Sequence, residues 1–297
     1  MSLLRNVLLA GLVLLVSACG GADDRGPAQP APRVALWEIA DASGPRAWIM
    51  GTVHALPAGT RWRSKAIDDS VAASDRIVFE IGQELDEKIA GEALARLAFT
   101  RGLPPPSHRI DAKYRPDLAA TYRELGLDDA SFADEESWAV ALQLAAIAGR
   151  KEGIDPEHGV EPELRRMAGS KPIKGFETID SQFAIFDRLP ASDQKVLLEQ
   201  VASDAASPED EDTDMMKMWL RGDTEGIDRE SRKGFLADNG LRDALLIRRN
   251  QNWARQLDKL LQGGARPFVA VGASHVSGPD GLPAIMAQHG WTVRRIQ

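Results

Sequence analysis

Two short apolar runs, one near each end of the chain, restrict the fold more than any other feature. "AWIMGTVH" covers Ala47 to His54 and "PFVAVGASH" covers Pro267 to His275. Each reads as a buried strand that stops at a glycine, Gly51 or Gly272, with a histidine three residues later. Strands of this kind at both ends require a sheet assembled from both ends of the chain. The stretch between them is mostly of helical character.

Further runs fill in the sheet. "RVALWEIA" (33–40) precedes Gly44-Pro45 and the first apolar run, which predicts a hairpin. "RIVFEI" (76–81) and "KPIKGFE" (171–177) read as strands, and "WTVRRIQ" closes the chain as the last one. A helix is expected over 61–74. From about 84 to 250 apolar residues recur three and four apart, with "DEESWAVALQLAAIAGRK" the clearest helix and 207–214 an acidic loop or helix start. A long amphipathic segment spans 237–264, and "PDGLPAIMAQHG" is a further helix. The expected fold class is α/β: a mixed sheet built from the N- and C-terminal segments, with a large helical middle (about 84–250) packing on it or capping one edge.

The first residues differ in kind. "VLLAGLVLLV" (7–16) follows Arg5 and precedes "SACGG", the layout of a signal peptide over 1–18 that is too short to span a membrane. "VSAC" resembles a lipobox, which makes Cys19, the only cysteine, the expected lipidation site. Gly20 after it favours an outer-membrane lipoprotein facing the periplasm, anchored to the bilayer through Cys19. "ADDRGPAQPAP" then reads as a tether, so 33–297 is the folded domain. At 297 residues and 43% hydrophobic composition the chain can bury a full core. A net charge of −8 without a basic tract argues against nucleic acid as a partner. Glycine-rich phosphate loops, G-x-S-x-G and H-E-x-x-H are absent from the sequence.

Four strands end in residues able to bind a metal or move a proton: His54, Glu80, Glu177 and His275. Ligands of open α/β sheets bind beyond the carboxyl ends of the strands. If these strands are parallel neighbours, two imidazoles and one or two carboxylates converge there. Such a set suits a divalent metal with open positions for water. It equally suits a metal-free general base oriented by a carboxylate. Gly51 and Gly272 would permit a sharp turn or close approach of a ligand, and Thr52 and Ser274 could donate hydrogen bonds to a substrate. His108, His158 and His289 read as loop, helix-start and helix-end residues. Arg249 and Asn250 read on spacing alone as a solvated helix face, and Trp138, Trp219 and Trp253 as helix packing.

The blocks "WIMGTVHALP", "RIVFEI", "EHGVEPEL", "KPIKGFETIDSQ", "LLIRRNQNWA" and the C-terminal "PFVAVGASHVSGPDGLPAIMAQHGWTVRRIQ" occur in the order that resembles the TraB/GumN family, over roughly 33–297. That family looks related to the TIKI metalloproteases, and more widely to erythromycin esterases and a haem-binding lipoprotein. The resemblance implies a catalytic set of His54, Glu80 and His275, which would also be the ligands of a Mn, Co or Zn ion. It places Arg249 and Asn250 at the site and leaves Glu177, on the "ET" block, as a candidate base. The function so implied is a metal-dependent, peptidase-like hydrolase of the cell envelope acting on a peptide or small-molecule substrate. A metal-free esterase-like hydrolase and a non-catalytic binder of haem or another small molecule are the alternatives.

Overall fold

The computed structural model of the protein describes residues 32–297 apart from 55, 58, 85–86, 152–157 and 207–214. The expected signal peptide, Cys19 and nearly all of the tether lie outside the described residues, as does the acidic stretch 207–214. In chain order the strands are β1 (Leu36–Asp41), β2 (Gly44–Thr52), β3 (Arg76–Ile81), β4 (Ile173–Glu177), β5 (Pro267–Gly272) and β6 (Thr292–Arg295). The helices are α1 (Lys65–Ala73), α2 (Glu87–Leu97), the single turn α3 (Pro106–Arg109), α4 (Arg115–Leu125), α5 (Ser137–Lys151), α6 (Val160–Ala168) and α7 (Ile179–Asp187). They continue with α8 (Ala191–Ala206), α9 (Met215–Arg221), α10 (Thr224–Ser231), α11 (Asn239–Arg242), α12 (Arg248–Gln262) and α13 (Leu282–Gln288).

The six strands form one mixed sheet in the order β4-β3-β5-β2-β1-β6. β4, β3, β5 and β2 are mutually parallel, and β1 runs antiparallel to both β2 and β6. The hairpin turn is Ala42–Ser43, with Gly44 opening β2 at φ +114, a conformation that suits glycine. β5 is buried along its whole length, as a continuous apolar run at the centre of a parallel sheet must be. Alternation sorts side chains onto the two faces. Trp48, Met50, Ile77, Phe79, Phe268 and Ala270 meet α1, α6 and α9, while Ile49, Val78, Val269 and Val271 meet α12 and α13.

A third core belongs to the helical middle, built from α2, α4, α5, α7 and α8; it reaches the sheet at Ile81 of β3 and, through Ile179, the start of α7 just past β4. This lobe therefore sits at the carboxyl ends of β3 and β4 rather than on a sheet face. α11 and α12 form one rod joined by a π-turn, Asp243–Ile247, in which the Arg248 amide bonds to the Asp243 carbonyl five residues back. The inserted residue rotates the buried stripe. Leu241 and Leu245 face the helical lobe, whereas Trp253, Leu257 and Leu261 face the sheet.

The ends of β3 and β4 approach closely through two glycines. A Cβ at Gly175 would lie 2.2 Å from the Gly82 amide nitrogen. We expect Gly175→Ala to destabilise the fold by about 1–3 kcal/mol, read as a lower midpoint of chemical unfolding. An unchanged midpoint would contradict this packing.

Candidate active site at the carboxyl edge of the sheet

Because β2, β5, β3 and β4 are parallel neighbours, their carboxyl ends bring Thr52, Gly272, Glu80 and Glu177 to one edge. Thr178 after Glu177 caps α7 with Ser181 in a reciprocal capping box, which turns the chain into a helix at the strand end. α12 crosses the same edge. Its buried stripe of Leu261, Leu257, Ala254 and Trp253 continues into Asn250 and Arg249, so both polar residues face inward.

Arg249 is the hub. A guanidinium has five N–H donors, and each finds an acceptor. Nε donates to Glu177 Oε1 (3.0 Å), and Nη2 to Glu177 Oε2 (2.9 Å) and Glu80 Oε2 (2.6 Å). Nη1 donates to the Leu245 carbonyl (3.2 Å), within the π-turn, and to His275 Nε2 (3.1 Å). Trp253 lies beneath, its indole N–H on Glu177 Oε1 (2.9 Å) and its ring 4.5 Å from the His275 ring, centre to centre. Gln182, on the first turn of α7, reaches both carboxylates at 3.4 and 3.5 Å.

These contacts determine the state of His275. Asn250 Nδ2 donates to the carbonyls of Asp280 (2.7 Å) and His275 (3.3 Å), so its Oδ1 is the acceptor of the 2.6 Å bond with His275 Nδ1. The proton therefore sits on Nδ1, and Nε2 presents its lone pair to Arg249, which can only donate. Arg242 holds the following loop through Asp280 Oδ2 at 2.9 Å.

His54 is differently placed. Its Nδ1–H donates to Glu161 Oε1 (2.7 Å), which also accepts the Thr52 hydroxyl (2.6 Å). The side chain is 26% exposed, against 9% for His275. Glu161 stands in the first turn of α6, and Arg165 one turn on binds the carbonyls of Gly82 and Gln83 at the end of β3. α6 thus bridges the ends of β2 and β3. Trp219 Nε1 anchors the Gly51 carbonyl at 2.8 Å.

Gly272 shapes the space between the histidines. Its φ of −49 is ordinary, and Gly51 is not among the residues with positive φ, so neither glycine serves a left-handed turn. A Cβ at Gly272 would meet Glu80 Oε1 at 3.1 Å and both His54 Nε2 and His275 Cδ2 at 3.6 Å. Its absence leaves a cradle lined by an imidazole nitrogen and a carboxylate oxygen. At Gly51 a Cβ would strike Val276 at 2.7 Å, which is a packing constraint.

The charges are strongly set. Burial alone would raise the Glu80 pKa, but Arg249 foremost, with the Gly272 amide (2.8 Å), holds it well below the carboxylate range. Burial pushes His275 down to about 3, with Glu80 opposing and Arg249 reinforcing the fall. Burial acts on His54 in the same direction, yet the Glu161 carboxylate outweighs it and lifts His54 to about 9. At neutral pH the edge holds an imidazolium at His54, a carboxylate at Glu80 and a neutral imidazole at His275.

The structure gathers His54, Glu80, Glu177, His275, Arg249 and Asn250 at one edge. Thr52, Arg249 and Asn250 spend their polar groups on protein partners, so they support the site from within. The Ser274 hydroxyl is buried without a hydrogen-bond partner among the described residues. Glu177 lies on Arg249 and Trp253, away from the Gly272 cradle. Trp253 does pack, and it also builds the site. Trp138 packs against Phe183 and Phe186, Trp219 against Trp62. His289 pairs with Asp258 at the end of α13. Glu161 and Gln182 were not singled out in the sequence; both occupy first turns of helices that start at this edge.

A divalent ion held by His54, Glu80 and His275 does not fit this arrangement. The free lone pair of His275 is taken by a guanidinium, each Glu80 oxygen already accepts a hydrogen bond, and Arg249 places a fixed positive charge among the donors. Among the described residues no group of three or more His, Cys, Asp or Glu side chains is arranged to hold a metal ion.

Parallel strands delivering acid/base side chains to one edge, under a helical lobe, define an α/β protein with a prebuilt polar site. The chain belongs to the TraB/PrgY/gumN family, whose model matches residues 35–295. No curated protein and no solved structure gives a significant match.

The pKa shifts carry signs for stability. The unfolded chain protonates His275 near pH 6.5 and the folded chain only near 3, so stability is complete above about 6.5 and declines toward 3. Glu80, lowered from 4.5, adds to the loss below about 4.5. His54 runs oppositely: its pairing with Glu161 contributes fully below about 6.5 and is lost as pH rises through about 9. Melting temperatures across this range should fall on both flanks, and His54→Gln should remove only the alkaline decline. A wild-type profile flat from pH 6.5 to 9 would contradict the His54 assignment.

Proposed function

We propose that the protein is a hydrolase of the bacterial cell envelope, lipid-anchored through Cys19, that cleaves an acyl bond of peptide or ester type. The observation that carries this reading is the Gly272 cradle, where His54 Nε2 and Glu80 Oε1 face one point from opposite charge states. A water in the cradle is oriented by the Glu80 carboxylate, which accepts its hydrogen bond while the water oxygen attacks the acyl carbon. His54 Nε2–H donates to the leaving oxygen or nitrogen as the acyl bond breaks. The proton that the water loses then passes to the neutral His54 Nε2, which restores the starting state. Glu161 keeps Nδ1 engaged, so Nε2 is the nitrogen that exchanges the proton. His275, Asn250 and Arg249 hold Glu80 ionised and aimed.

The engagement of both His275 nitrogens weighs against a binder that uses both histidines as haem ligands. It also favours proton transfer by side chains over metal-activated water. An open groove of about 390 Å³ runs along the segment after His54, lined by Arg61, Trp62, Arg63, Glu163 and Arg166 among others, with Arg63 and Arg166 both paired to Glu163. Export and anchoring rest on the apolar run at 7–16 and the single cysteine after it.

The full chain should hydrolyse members of a labelled peptide and ester panel. His54→Ala should lower kcat/KM by about 10²–10⁴-fold, the usual size of a lost proton-transfer group. Glu161→Gln should weaken activity less and move the alkaline limb of the pH–rate profile downward. Turnover unaffected by His54→Ala would overturn the reading.

A further inference from the structure

We propose that Arg249 supplies, as a built-in guanidinium, the positive charge that a divalent ion would otherwise bring to this sheet edge, so that the edge is built to work without a metal. The inference goes beyond the hydrolase reading and holds whether the site turns over a substrate or only binds one.

Three observations support it. Glu80, Glu177 and His275 come from three adjacent strands, yet all three point at one guanidinium rather than at one another. Two carboxylates and an imidazole are the donor set of a hard-to-borderline divalent ion. Their approach distances of 2.6–3.1 Å to three Arg249 nitrogens are those of hydrogen bonds, so the guanidinium already satisfies the set. The three donors are themselves fixed from behind: His275 by Asn250, Glu80 by the Gly272 amide and Glu177 by Trp253. Donors oriented from behind stay aimed when their central partner is removed. Arg249 comes from α12, whereas Glu80 and Glu177 stand at the ends of β3 and β4 and His275 in the turn after β5. The π-turn carbonyl of Leu245, which takes the fifth guanidinium contact, belongs to the same rod.

The test uses Co²⁺ as probe on the full chain, with metal content measured as purified, Co²⁺ titrated while visible absorption is recorded, and melting temperature followed. Wild type should carry no stoichiometric metal and show no saturable cobalt band. Arg249→Ala should bind one Co²⁺ at least about 100-fold more tightly than wild type, with visible bands and a raised melting temperature. Adding His275→Ala should abolish that gain. Arg249→Gln, which retains one amide donor for the carboxylates, serves the same comparison if the alanine variant does not fold. Stoichiometric cobalt binding by wild type that His275→Ala removes would overturn the proposal. So would variants of Arg249 that fold and bind cobalt no better than wild type. Neither outcome depends on substrate turnover, so failure here and failure of the hydrolase reading are separable.

Discussion

One buried arginine carries the architecture of this site. Two carboxylates at the ends of neighbouring strands cannot be held ionised out of water without a counter-charge, and Arg249 meets both with a fork that a lysine could not reproduce. Removing one partner from such a buried set costs about 3–5 kcal/mol, chiefly by stranding the others. One of its two remaining donors engages Nε2 of His275, and the same side chain rests on Trp253 with the guanidinium 4.7 Å from the ring centre. The charge state of Glu80, the aim of His275 and the inward face of α12 are thus parts of one arrangement.

Topology explains how residues so distant in sequence meet. β2 and β5 are adjacent and parallel, with Thr52 opposite Gly272, so the two G-x-x-H segments leave the sheet side by side. The helical middle then returns four times to the same edge. It contributes Glu161 from α6, Glu177 from β4, Gln182 from α7 and Arg249 with Asn250 from the rod beyond the π-turn. The shift of stripe at that turn lets one rod serve two cores, the lobe through Leu245 and the sheet through Trp253.

Much of this was legible in the sequence. The apolar runs marked the strands because a parallel sheet covered on both faces leaves no polar alternation. The strand-end residues marked the site because parallel strands share one carboxyl edge. Arg249 and Asn250 were also legible in principle, since they extend the apolar stripe of Trp253, Ala254, Leu257 and Leu261, although spacing alone suggested a solvated face. Glu161 and Gln182 were not. First-turn polar residues commonly serve helix ends, and only the assembled edge reveals a second use. The unlike roles of the two histidines were invisible as well, because they depend on what occupies each Nδ1: a carboxylate at His54, an amide oxygen at His275.

The two histidines, delivered by the same device, end in opposite states: one partly exposed and cationic, the other enclosed and neutral. The claim at the centre of this account is that Arg249 and Asn250 fix His275 as the neutral Nδ1–H tautomer. Nitrogen-15 NMR of the histidine rings at neutral pH measures this directly. The account predicts a His275 Nδ1 carrying the proton and an Nε2 without one, both reverting toward tautomer exchange in Arg249→Gln. A protonated Nε2 on His275 in the wild-type protein would contradict it.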